Sequence, residues 1–140
     1  MDHNTTQALD DEGRIAMVRY RSYVHDEILT PPGGSLDPGE NPLDAARREL
    51  KEGAGITAGT WSRLGEIALM TKCTARLHIF IARDLTIREQ ELTATETGMT
   101  VEWWPLQEAV AAAMDGRLLL SGAAVSILMA ANTVHLVGCA

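Results

Sequence analysis

Carboxylates crowd one short stretch of the chain, where Glu40 is followed by Arg48, Glu49 and Glu52 just after the paired glycines Gly33 and Gly34. If the segment carrying the last three is helical, Glu49 and Glu52 project from the same face. Two like charges at that spacing repel mildly unless a cation or a basic group lies between them. Arg48 is placed to orient the loop acid Glu40. Hard oxygen donors of this kind suit magnesium or manganese, and such an ion can hold the phosphate oxygens of a substrate. Taken as a pair alone, Glu49 and Glu52 would equally fit a solvated helix face of scattered acids and bases.

The elements that must position these residues are legible in outline. Asp10 to Gly13 is a turn signal, and Arg14 to Tyr20 reads as a strand after it. Thr5 to Leu9, polar for a core strand, could pair with it as a hairpin arm. Tyr23 to Leu29 is a second strand, closed by Pro31-Pro32-Gly33-Gly34, whose prolines fix φ and whose glycines permit close backbone approach. Asn41 caps a helix with Pro42 in its first turn, Leu43, Ala46 and Leu50 form its buried stripe, and Gly53 and Gly55 end it. Further strands are expected over Trp61 to Met70, Leu77 to Ala82 and Val101 to Trp104. Helices follow over Leu106 to Met114 and from Ser121 to about Ala131. Strands, helix, strands, helices in that order predict an α+β chain, an α/β/α sandwich with mixed strand directions.

Composition narrows the function classes. The 140 residues suit one compact domain, and 46% hydrophobic with 22% charged residues supports a real core. A net charge of −7 argues against a nucleic-acid surface, though an acidic protein handles anionic substrates readily when a divalent cation intervenes. The polar first residues carry no signal-peptide pattern. The apolar run from Leu118 to Ala131 is shorter than the roughly 20 residues a membrane span needs, so no membrane partner and a cytoplasmic location are expected. Cys73 and Cys139 have no metal-type spacing and read as free thiols.

From Gly34 to Ile56 the residues resemble the Nudix box. Gly34, Glu40, Arg48, Glu49, Leu50, Glu52, Gly55 and Ile56 match at its required spacings, and only Gly53 departs, standing where the box has the second of two paired glutamates. The flanks resemble the ADP-ribose pyrophosphatase branch of that superfamily: Tyr20-Arg21 through Leu29 and on to Gly34, Leu43 to Leu50, His78 to Leu85, and the run from Trp104 to Ala109. The resemblance implies a Nudix fold over residues 1–140, without the extra N-terminal sheet many of that branch carry. A mixed sheet would have the box helix and the C-terminal helices packed on it.

The resemblance also implies a Mg2+- or Mn2+-dependent pyrophosphohydrolase acting on a nucleoside-diphosphate-linked small molecule of the ADP-ribose or nucleotide-sugar kind. Glu49 and Glu52 would be metal ligands, with the Gly33 carbonyl as a further one, and Arg48 with Glu40 the pair that orients loop and helix. Glu96, with Glu91 and Glu102 as alternatives, would supply a further ligand or base. Arg21, Arg76 and Trp104 are candidate substrate contacts; Trp103 and Trp104 face opposite sides of a strand, so one is core and the other free to stack. His78, within an apolar run, reads as a satisfied core histidine, and Glu66 as a solvent-side residue.

Two departures support a rival reading. Gly53 removes a carboxylate and costs the helix about 1 kcal/mol relative to alanine. Ala75 replaces an acid the ADP-ribose branch has there, while Lys72 and Arg76 add positive charge. The rival is a Nudix-fold domain with little or no hydrolase activity that binds a nucleotide or a protein partner. Sanitation of small nucleotides of the MutT kind shares the chemistry but fits the flanks less well. The family often forms homodimers, and the apolar terminal helix could supply such a surface or could equally be core.

Overall fold

The computed structural model describes residues 1–88 and 98–138, the side chains of 135–138 excepted. In chain order the elements are β1 (His3–Ala8), β2 (Arg14–Ser22), β3 (Asp26–Thr30), β4 (Gly33–Ser35), α1 (Pro42–Ala54), β5 (Ile56–Ala68), β6 (Arg76–Ile87), β7 (Thr100–Pro105), α2 (Leu106–Asp115) and α3 (Ser121–Gly138). The strands form two sheets, ordered β4-β1-β6-β5 and β3-β2-β7. Among the described residues, only β1 and β6 run parallel; every other pairing is antiparallel. The mixed sheet of the expectation is therefore the four-stranded one, and a second, antiparallel sheet stands beside it.

Side-chain alternation assigns the helices to layers. Ala8 of β1 and Ala82 of β6 join Leu50 and Ala54 of α1 in one buried cluster, which also includes Ala16 of β2. Ile81, one residue before Ala82, lies in the other cluster with Ile15, Met17, Leu106 and Ile127. So α1 covers one face and α2 and α3 the other. The continuous buried runs Ile15 to Val18 and Leu77 to Ala82 follow from being covered on both sides. Trp103 and Trp104 divide between the clusters as their adjacency predicts.

The box helix is built as its sequence suggests. The Asn41 side chain accepts from the Leu43 N–H at 2.9 Å, Pro42 opens the first turn, and Gly55 takes the left-handed conformation at φ 68°. Alanines at 45, 46 and 54 bring its backbone close to the sheet. Gly53, expected to end the helix, lies inside it, because the left-handed closure falls at Gly55.

The first strand departs most from expectation. β1 is not a hairpin arm of β2: it sits inside the other sheet between β4 and β6, and only a bridge from Leu9 to Ile15 joins the two. Thr5, Thr6 and Gln7 are buried despite their polarity. The Gln7 amide donates to the Ser126 hydroxyl at 2.9 Å, fastening the sheet to α3 through a polar contact in the core. Among the described residues, no helix is long and apolar enough to cross a membrane.

Candidate functional site

The site grows from the meeting of β4, β1 and α1. Gly33 lies so close to β1 that a Cβ there would stand 2.1 Å from the Asn4 carbonyl oxygen. A Cβ on Gly34 would stand 2.6 Å from Glu49 Oε1, so the missing side chain is what lets the Glu49 carboxylate rest against the strand backbone. Asn4 holds the same peptide from behind, its amide donating to the Gly34 carbonyl at 3.1 Å. The chain then turns through Gly39 at φ 75° to bring Glu40 back toward α1.

Arg48 ties this turn to the helix. Its guanidinium meets Glu40 as a fork, Nε to Oε2 at 3.0 Å and Nη2 to Oε1 at 2.9 Å. Nη1 reaches Glu49 at 3.1 Å and Glu52 at 3.4 Å, and Nη2 donates to the Ser35 carbonyl at 3.3 Å. The Arg48 fork, with the Asp37 N–H behind it, holds the Glu40 carboxyl down at about 2. Glu49 behaves in the opposite way. Burial raises its carboxyl above the ordinary value, and Arg48 counters this only in part while Glu52 and Glu40 repel it. Three glutamates thus converge on one guanidinium, with Asp37 3.7 Å away, and for Glu49 the cost of burial outweighs what Arg48 returns. Such a place attracts a cation.

A model of the NUDIX domain matches residues 6–120. The chain belongs to the NUDIX domain family. It is 32% identical over 125 residues to an ADP-ribose pyrophosphatase of Mycobacterium tuberculosis, an alignment covering 86% of this chain and 60% of that one. It is 33% identical over 86 residues to an ADP-ribose pyrophosphatase of Bacillus subtilis, covering 60% of this chain and 46% of that one. The chain therefore spans about half to three-fifths of the length of these relatives. Among solved structures, one described as an ADP compounds hydrolase superposes with a TM-score of 0.82 at 19% identity, over 99% of this chain and 76% of that one, which shows the shared fold.

Within the NUDIX fold, the structure brings Glu40, Arg48, Glu49 and Glu52 together and seats Gly33 one residue before the Glu49 contact. The other residues singled out from sequence lie elsewhere. Arg21 is exposed near the end of β2, 3.6 Å from Asp26. Arg76 opens β6 with an exposed side chain, its N–H donating to Asp2 at 3.0 Å. The Trp104 ring packs against the cluster shared with α2 and α3, its N–H directed at Glu102 at 3.2 Å and Arg117 lying over its face at 5.9 Å. Among the described residues, no hydrogen bond or ion pair joins these three to Glu49 or Glu52. Glu96 and Glu91 lie outside the described residues. Glu102 is engaged by Arg19 through Nε at 2.5 Å and Nη2 at 3.2 Å, which lowers its carboxyl below the ordinary range.

Two groupings were not anticipated. Arg19 links Glu102 of β7 to Glu27 of β3, the latter at 2.6 Å, across the three-stranded sheet. Asp2, Glu66 and His78 converge on the α1 side of the other sheet, their ligand atoms all within 4.8 Å of one another. Both join residues far apart in the chain, and the only sequence signal was a lone histidine in an apolar run.

Proposed function

We propose that this NUDIX chain is a divalent-metal-dependent pyrophosphohydrolase that cleaves the diphosphate of a nucleoside-diphosphate-linked small molecule of the ADP-ribose or nucleotide-sugar kind. The observation that carries the reading is the under-compensated Glu49 carboxylate resting on the Gly34 backbone, with Glu52 beside it on a helix pinned by the Arg48–Glu40 fork. The similarity to two ADP-ribose pyrophosphatases supports the substrate class.

The donor set fits Mg2+ or Mn2+: two carboxylates, with the Gly33 carbonyl as a further oxygen and no sulfur or imidazole among them. Glu49 and Glu52 would hold the ion, and a positive charge there would relieve the burial penalty on Glu49. When bound, such an ion polarises the phosphoryl oxygens and lowers the pKa of water. Arg48 engages one oxygen of each glutamate, Glu49 Oε1 and Glu52 Oε2, and the other oxygen of each would be the metal's. Glu40 makes no contact with substrate in this scheme; it fixes the angle of Arg48. Glu96 would accept the proton of the attacking water, the bridging P–O bond would break, and two phosphomonoesters would leave. Arg21 and Arg76 are the proposed phosphate contacts and Trp104 the proposed base contact, Arg21 having the most open placement.

Gly53 supplies the test. A Cβ built there meets no atom within 4 Å, so a side chain can leave the helix at this position without a clash at its Cβ. Wild type, Gly53→Glu, Glu49→Gln and Glu52→Gln are assayed against ADP-ribose and nucleotide sugars with Mg2+ or Mn2+. Turnover by wild type that either glutamine variant abolishes is expected, with Gly53→Glu more active at limiting metal. Silence of the wild type with activity appearing only in Gly53→Glu would overturn the proposal in favour of a binding domain.

A further inference from the structure

The Asp2–Glu66–His78 group is arranged in a way that hydrogen bonding alone leaves incomplete. His78 sits in β6 opposite Asn4 of β1 and Glu66 of β5, with its side chain only 8% exposed. Its Nε2 lies 2.9 Å from Asp2 Oδ2 and 3.8 Å from Glu66 Oε1. A ring nitrogen carries one proton and serves one acceptor. Asp2 takes it, and at 3.8 Å Glu66 Oε1 is outside hydrogen-bond range. That oxygen has no other hydrogen bond among the described residues, yet it points at the imidazole.

Both carboxylates are also held from behind. The Arg76 N–H donates to Asp2 Oδ1 at 3.0 Å, and Arg63 Nη2 donates to Glu66 Oε2 at 2.9 Å. Each acid therefore has its outer oxygen tied and its inner oxygen directed at one nitrogen. This is how outer partners orient the ligands of a metal. Ligands about 2.1 Å from a tetrahedral or octahedral ion are about 3.0–3.4 Å apart. Two of the observed separations, 2.9 Å and 3.8 Å, lie within about half an ångström of that range, and the third is below 4.8 Å. A cavity of about 450 Å3 opens over Glu66 and His78 and leaves room for water to complete the coordination.

We propose that Asp2, Glu66 and His78 form a binding site for one divalent transition-metal ion, separate from the Glu49–Glu52 carboxylates. One imidazole and two carboxylates favour zinc or manganese over magnesium or calcium, which prefer oxygen alone. The ion would join the start of the chain to β5 and β6 across the four-stranded sheet. Its role is to stabilise the fold and is independent of hydrolysis.

Zinc binding to chelator-stripped protein tests this by calorimetry and thermal unfolding, in a Glu49→Gln/Glu52→Gln background that removes the box acids. One equivalent of Zn2+ should bind and raise the unfolding midpoint by several degrees. In the same background His78→Gln should weaken binding about tenfold or more and remove the midpoint rise. Glu66→Gln, on the more exposed partner, should do likewise if His78→Gln impairs folding. With the box intact, both single variants should keep the Mg2+-supported turnover of wild type. Absence of a zinc-dependent midpoint shift, or undiminished binding in both variants, overturns the proposal.

Discussion

Two arginines in this molecule each gather glutamates, and they do so with opposite electrostatic results. Arg19 joins Glu27 and Glu102 across one sheet, and its pairing lowers the Glu102 carboxyl. Arg48 faces Glu40, Glu49 and Glu52, yet Glu40 is lowered while Glu49 is raised. The first cluster sets one guanidinium against two carboxylates and ties three strands together. The second keeps an excess of negative charge in a half-buried place, which a fold retains at some cost to its stability when the charge is used for something else.

The sharpest way to break the contrast is Glu49→Gln. Loss of a metal-bearing carboxylate should cost several kcal/mol of transition-state stabilisation, so turnover on ADP-ribose should fall about a hundredfold or more. Stability should move the other way. Because the folded Glu49 carboxyl is raised, its ionisation disfavours the folded state from the ordinary value of 4.5 upward, and the penalty persists at neutral pH. Thermal melts should therefore show the glutamine variant above metal-free wild type at pH 7, with the difference gone well below pH 4.5. A variant that melts lower at pH 7 would place Glu49 with the structural ion pairs of Arg19.

Arg48→Ala should be the next largest. The Glu40 carboxyl is lowered to about 2, so the stabilisation it gains from Arg48 is present above the ordinary 4.5 and fades as the pH falls toward 2. The drop in midpoint caused by Arg48→Ala should accordingly be large at pH 7 and shrink across that interval. Turnover should fall with it, since the loop that seats Glu49 loses its anchor. Glu102→Gln sharpens the comparison from the other side. It should cost about 1 kcal/mol of stability in urea titrations, typical of a part-exposed charged pair, while turnover stays within about threefold of wild type. A collapse of turnover would move Glu102 into the chemistry. The smallest effect is expected from Gly53→Ala, which should raise stability by about 0.5–1 kcal/mol through helix propensity, because the added Cβ meets nothing within 4 Å.

The same contrast separates what could be read in advance from what could not. The Arg48 cluster was legible because its members lie on one helix and the loop entering it, where spacing maps onto geometry. The caps at Asn41 and Gly55 were legible for the same reason. Arg19 with Glu102, and His78 with Asp2 and Glu66, are joined across strands distant in the chain, and no local periodicity records such pairings. β1 misled for a different reason. Thr5, Thr6 and Gln7 look like surface residues, and their burial became apparent only with the parallel pairing to β6 and the contact from Gln7 to Ser126. Gly53 was misplaced as a terminator because two glycines stand close together and only one takes the left-handed turn.

The parallel pairing of β1 with β6 also shapes how the chain is assembled. β1 is synthesised well before residues 77–82, which it needs before one of its edges is covered, and β4 offers the other edge a partner only from His3 to Thr5. Until then the growing chain carries an uncovered strand edge, the kind of surface that pairs with other chains. Closure across so long a stretch of sequence is entropically slow. A nascent or truncated product ending before β6 should therefore be the species most prone to aggregate and most dependent on chaperones.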